Sequence, residues 1–221
     1  GQKLIAAAAL WLLMIAANTG ARADALNLKL DSQITPASAD VIVSAIARAE
    51  RDNSSALIIT INTTGGLESS MREIVSRIIY SRVPVIVYVA PSGARAASAG
   101  FVILISADVA AMAPGTETGA AHPVPPGGGE MSKTMTEKVV NDAAAFVRSL
   151  AGKRDRNPQV AESAVRESRS FTDREALDNH LIDIIARDEW DLLAQLNGRA
   201  VTRFDGSQKV LQTANEKLTL F

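Results

Sequence analysis

An α/β fold of repeated β-α units, with a parallel sheet flanked by helices, is predicted by three observations on this sequence. Strand-like and helix-like stretches alternate from residue 25 onward. Two runs, 56–61 (ALIITI) and 84–90 (PVIVYVA), are apolar and β-branched almost throughout, as strands covered on both faces are. Length and composition agree with one compact domain and a real core: 221 residues, 47% hydrophobic and 21% charged.

Residues 26–30 (LNLKL) alternate apolar and polar, which predicts a half-buried strand, and 36–49 place Val41, Ile42, Ala45, Ile46 and Ala49 at helical spacing. The 56–61 strand ends at Thr63-Thr64-Gly65-Gly66, a turn that leads into a helix over 67–80. A third strand has its body at 84–90, a helix follows over 98–107, and a strand at 109–113 closes on Pro114-Gly115-Thr116. The run 123–129 (PVPPGGG) suits no regular element and predicts a mobile surface loop, a candidate lid or substrate entry. Helix resumes from 135 or 136 to 153, with Val139, Ala143, Phe146, Val147 and Leu150 as its apolar stripe. A shorter helix covers 158–167. Thr172 and Glu175 then form a capping box, 188–196 is helical, and 200–204 with 208–211 make a small hairpin.

Composition removes several function classes. Lys plus Arg number 23 against 24 for Asp plus Glu, so no basic field exists to hold a phosphate backbone, and nucleic acid is not expected as a partner. The absence of cysteine excludes disulfides, thiolate metal sites and a cysteine nucleophile. Two histidines, His122 and His180, are too few for a histidine-based metal site unless carboxylates supply the rest. Neither a metal nor a cofactor is expected. At the N-terminus, Lys3 precedes an apolar run over 4–17, and Ala21-Arg22-Ala23 supplies a small-residue end. Those parts make residues 1–23 a secretory signal peptide or N-terminal anchor and leave 24–221 as the extracytoplasmic domain. The chain starts at Gly1 and is expected to be a piece of a longer, membrane-associated protein.

The segment Ala96-Ala97-Ser98-Ala99-Gly100 sets a serine among residues with almost no side chain, between a strand and a helix opening. A hydroxyl there lies where helix amides neutralise an oxyanion, and small neighbours let a carbonyl approach. The bland alternative is a tight turn that needs small residues for packing. Thr64-Gly65-Gly66 ends the preceding strand, and neighbouring parallel strands bring their C-terminal ends side by side. Amides of Gly65 or Gly66 and of Ala99 are therefore candidates to converge on one carbonyl oxygen. Arg95, Arg148 and Arg169 are read as surface charges, and Met112, Met131 and Met135 as core or loop filler.

The block from 59 to 123, with TTGG, the helix SSMREIVSRI and VPVIVYVAPSGARAASAGFVILISADVAAMAPGTETGAAHPV, resembles the NfeD membrane-bound serine protease family. The resemblance continues through EKVVNDAAAFVRSLAGKRDRN to EALDNHLID. It implies the ClpP/crotonase fold group and a Ser-Lys dyad at Ser98 and Lys138. It also implies cleavage of hydrophobic segments of stomatin-like membrane proteins, with membrane proximity. Larger members carry membrane helices and a soluble C-terminal domain. A homodimer or higher homo-oligomer is expected. One departure stands out: many relatives have Asp-Thr-Pro-Gly-Gly where this chain has Asn62-Thr63-Thr64-Gly65-Gly66, so the turn lacks the proline that fixes φ.

Two residues compete as general base. Lys138 lies forty positions after Ser98, near a helix start. A lysine ordinarily titrates near ~10.4, and burial with the positive end of a helix is what brings one into working range. His122 occupies a place comparable to the base of ClpP-type enzymes, where an aspartate two positions before a phenylalanine orients the imidazole. Here Arg169-Ser170 precede Phe171, so nothing in the sequence orients His122, and Lys138 is favoured. The expected activity is serine endopeptidase. The rival readings are a crotonase-like acyl-thioester enzyme, which shares the fold and the two amides without a nucleophilic serine, and an inactive scaffold for membrane partners.

Overall fold

The computed structural model describes residues 24–124, 129, 132–213 and 218–221. The predicted signal or anchor segment 1–23, the core of the proline-glycine run at 125–128, and Met131 lie outside the described residues.

The alternation predicted from sequence is present. The order is β1 (Leu26–Asp31), α1 (Pro36–Arg51), β2 (Leu57–Asn62), α2 (Glu68–Ile79), β3 (Val85–Val89), β4 (Arg95–Ala97), α3 (Ala99–Ser106), β5 (Val109–Met112) and β6 (Glu117–Gly119). There follow α4 (Lys133–Lys153), α5 (Pro158–Arg166), β7 (Ser170–Thr172), α6 (Asp173–Asp178), β8 (Ile184–Ile185), α7 (Glu189–Leu196), β9 (Ala200–Thr202), β10 (Gln208–Val210) and β11 (Thr219–Leu220). Six strands form one sheet in the order β11-β1-β2-β3-β5-β8, every pair parallel.

Period-two alternation assigns the faces of this sheet. Leu57, Ile59 and Ile61 of β2 and Val85, Val87 and Val89 of β3 join the core under α1, α2 and α3. Ile58, Ile86 and Tyr88 point the other way, to a second cluster with Leu192, Leu193 and Leu196 of α7 and Val201 of the hairpin. Both faces of β2 and β3 are thus mostly covered, which accounts for their continuous apolar sequences. Helix α3 is buried along its whole length, and its residues Phe101 to Ile105 all join the first core.

Caps set where several helices begin. Thr35 caps α1 in a reciprocal box with Ser38, and Thr172 caps α6 in the box with Glu175 that the sequence predicts. Ser132 accepts the Met135 N–H, so α4 begins at Lys133, two or three residues before its predicted start. Five short strands escape sequence reading: β8 and β11 in the main sheet, and β4, β6 and β7, which form a small second sheet in the order β4-β6-β7. That sheet stands at the C-terminal end of β2, joined to it by a bridge between Thr63 and Ala96. No helix among the described residues is long and apolar enough to cross a membrane.

Candidate active site

The small sheet sets the geometry of Ser98. Residue 97 pairs with Gly119 in register, and the Gly119 carbonyl accepts the Ser98 N–H at 2.8 Å. Ser98 then turns sharply, with φ 54° and ψ −116°, before α3 opens at Ala99. A non-glycine residue in that conformation costs on the order of 1–3 kcal/mol and persists only where its surroundings over-determine it. Here the β4-β6 pairing on one side and the buried α3 on the other do so. The turn leaves Ser98 half-buried, and its hydroxyl does not cap α3.

The two glycine-bearing turns meet. A methyl group built on Gly65 would lie 2.7 Å from Ser98 Cβ and 3.2 Å from Ser98 Oγ, so the Gly65 backbone rests directly against the serine side chain. Gly100 gives the same close fit underneath, where a methyl would lie 2.5 Å from Thr63 Cγ2. Backbone bonds lock the arrangement: Thr63 N–H donates to Arg95 O at 2.7 Å, and Ala97 N–H donates to Thr63 O at 3.1 Å. Gly66 has its own close neighbour, since a methyl there would overlap the Ile34 carbonyl at 2.0 Å.

The amides of this turn differ. Gly65 N–H donates to Thr63 Oγ1 at 3.1 Å and is engaged within the turn. Gly66 N–H and Ala99 N–H donate to no turn, loop or cap acceptor among the described residues. Ala99 opens α3, so its N–H is one of the helix's orphan donors at the positive end of the axis. Thr63, Gly100 and Gly119 are positioning residues that sequence reasoning did not single out. Thr63 and Gly100 lie within the two turns read from the sequence, whereas Gly119 lies 21 positions after Ser98 and carries no local signal.

The structure places the two candidate bases differently. Lys138 lies exposed on the N-terminal half of α4, whose buried residues begin only at Ala144. His122 is half-buried, and its Nδ1 lies 2.9 Å from the Val165 carbonyl. A carbonyl only accepts, so Nδ1 carries a proton and neutral His122 keeps Nε2 as an acceptor. The expectation that nothing orients His122 is therefore corrected: a backbone carbonyl of α5 does so in place of a carboxylate. Asp173 instead accepts the Gly115 N–H at 3.1 Å, at the start of α6.

The remaining candidates have local partners. Arg148 pairs with Glu162 at 2.6 Å, Arg169 lies over the Phe171 ring at 4.9 Å, and Arg95 is exposed. Met112 is buried in the core, whereas Met135 is 52% exposed on α4.

This chain has identifiable relatives. The family described as NfeD1b, N-terminal domain, matches residues 28–198. The membrane-bound protease PH1510 of Pyrococcus horikoshii is 40% identical over 173 residues, which is 77% of this chain and 39% of that protein. This chain therefore spans well under half the length of that curated relative. Among solved structures, 1510-N, a membrane-bound stomatin-specific protease, matches as a Lys-to-Ala mutant in complex with a substrate peptide. The TM-score is 0.84 at 35% identity, over 91% of this chain and 93% of that one. A Ser-to-Ala mutant of 1510-N gives the same score and identity over 91% and 98%. ClpP1 from Listeria monocytogenes shares the fold at 18% identity and a TM-score of 0.61, over 75% of this chain and 94% of its own.

Proposed function

The chain belongs to the NfeD1b N-terminal domain family, and from that premise we propose that residues 24–221 form the serine endopeptidase domain of a membrane-associated, extracytoplasmic protein. Residues 1–23 are its signal peptide or anchor. Its substrates are hydrophobic segments of stomatin-like membrane proteins, a reading supported by the similarity to the stomatin-specific protease 1510-N. The observation that carries the reading is the contact of the Gly65 backbone with Ser98. It brings a strained serine and two unengaged amides to the end of one sheet.

Ser98 Oγ attacks the peptide carbonyl carbon while its proton passes to the Lys138 amine. The carbonyl oxygen becomes an oxyanion, held by the N–H groups of Gly66 and Ala99, with Gly65 keeping the turn in shape. Collapse breaks the C–N bond, and the Lys138 ammonium returns the proton to the leaving amine. Water then cleaves the ester, with the same amine as base. Lys138 is exposed on α4, and a peptide bound over it excludes water from the amine. An extended apolar peptide binds as an added strand.

The oriented imidazole supports a second reading, with His122 Nε2 as the base. Labelling by a fluorophosphonate probe and hydrolysis of a hydrophobic fluorogenic peptide test both readings. Ser98→Ala is expected to abolish labelling, and Lys138→Ala to slow hydrolysis by roughly 10⁴-fold or more. An active Lys138→Ala variant beside an inactive His122→Ala variant transfers the base to His122. Full hydrolysis by Ser98→Ala overturns the protease reading altogether.

A further inference from the structure

We propose that Arg72 is a positioning residue for this reaction, a clasp that ties the helix bearing Lys138 to the helix that begins at the Gly65-Gly66 turn. The proposal rests on the Ser98-Lys138 reading above. Arg72 lies in α2, which begins two positions after Gly66, so α2 and the Gly66 amide move together. Its guanidinium reaches across to α4: Nη2 donates to Asp142 Oδ2 at 2.6 Å, and the group lies over the Phe146 ring at 4.4 Å. Nε donates to Glu68 Oε1 at 2.8 Å, one turn back on α2, which fixes the side chain in its reaching rotamer.

The target positions are what make this contact informative. Lys138, Asp142 and Phe146 follow one another at four-residue intervals, so they form one stripe of α4. Arg72 grips the second and third members and leaves the first, Lys138, one turn beyond the grip. Apolar packing holds this part of the helix less firmly than the C-terminal half, since the buried residues are Ala144, Val147, Leu150 and Ala151 and the core contacts upstream of them are only partly buried. Upstream of them, Val140 and Ala143 are half-buried, and the polar ties among the described residues are Arg72 to Asp142 and Arg166 to Asn141. Of these two, only Arg72 leads back to the amide turn; Arg166 belongs to α5. The rotation and height of Lys138 relative to the oxyanion donors thus rest on the packing of α4 and, near the lysine, on the one side chain that reaches the helix following the amide turn.

An exposed pair of this kind adds little to global stability, since Arg72 and Asp142 side chains are 38% and 71% exposed. Its effect belongs to the reaction, where a misplacement of about 1 Å costs on the order of 10²-fold. The test uses the whole chain, a hydrophobic fluorogenic peptide and thermal melting. Arg72→Ala and Asp142→Ala are each expected to lower kcat by roughly 10- to 100-fold with KM and melting temperature nearly unchanged. Arg72→Lys, which keeps charge without the fork, should recover part of kcat, and Arg72→Glu with Asp142→Arg should recover more than either reversal alone. Wild-type kcat in Arg72→Ala, beside an inactive Lys138→Ala, overturns the clasp and leaves the dyad standing. A kcat loss that follows the melting temperature and resists the double reversal also overturns it. An active Lys138→Ala removes the premise and the clasp together.

Discussion

A methyl group at Gly65 has nowhere to go. It would press on Ser98 Cβ at 2.7 Å and on the carbonyl of residue 97 at 3.1 Å, and the backbone φ of +109° already disfavours any L side chain. The Gly65 backbone sits against the serine side chain in the turn that carries the Gly66 amide, so Gly65→Ala should act on reaction more than on folding. Peptide hydrolysis is expected to fall by about 10²-fold or more, the loss typical of a misplaced oxyanion donor, while far-ultraviolet circular dichroism stays native. Retained hydrolysis would mean that the two turns need no close fit. Asn62 stands at a position that suits a carboxamide. Its Oδ1 accepts the Arg95 N–H at 3.1 Å and its Nδ2 donates to Asp31 Oδ1 at 2.9 Å. Only a carboxamide does both, since a carboxylate there would face Asp31 with like charge. Asn62 thereby holds β4 at the end of β2.

Elements are held together at buried charges that no local pattern announces. Asp108, with a fully buried side chain, begins β5's approach and serves three neighbours. Its Oδ2 accepts the Val85 N–H of β3 at 2.8 Å, and its Oδ1 accepts from Arg154 Nη1 at 2.7 Å. Arg203 Nε, from the hairpin end, lies 3.2 Å from the same oxygen but is not aligned to donate to it. Two buried guanidinium groups thus share one carboxylate, with burial the main influence pulling Arg154 below its usual pKa range and Asp108 opposing it. Removal of that carboxylate strands both cations. Asp108→Ala is expected to cost about 3–5 kcal/mol in urea unfolding, with faster amide exchange in the β9-β10 hairpin. The sequence carried the strands at β2 and β3 and the Thr172 box through local periodicity and capping, and the meeting of the two turns through the parallel order of neighbouring strands. It did not carry β4, β6 and β7, three residues each, which are too short for a two-residue period to register. Nor did it carry Arg72 to Asp142 or His122 to Val165, whose partners are 70 and 43 residues apart and make no local signature.

At the scale of the molecule, α1 is tied to α2 and to the turn that leads into β3 by one carboxylate, and this gives acid sensitivity a definite sign. Glu50, in the last turn of α1, has a side chain 10% exposed. It accepts from Arg77 Nη1 at 3.1 Å and Nη2 at 2.7 Å, and from the Arg82 N–H at 2.8 Å, just past α2. Burial raises its pKa, but the Arg77 hydrogen bonds, the Arg82 backbone bond and the two positive charges outweigh burial, and the net displacement is below the usual 4.5. A carboxyl whose folded pKa is depressed binds protons more readily when unfolded. Its contribution is therefore complete above pH 4.5 and is lost as pH falls through the lower folded value. Glu50→Gln keeps the shape and removes the titration. Urea midpoints of wild type and variant should differ by a constant amount at neutral pH and draw together once pH drops below 4.5. A gap that persists unchanged into stronger acid would assign the variant's loss to packing, and the junction of α1 with α2 would then not be an electrostatic one.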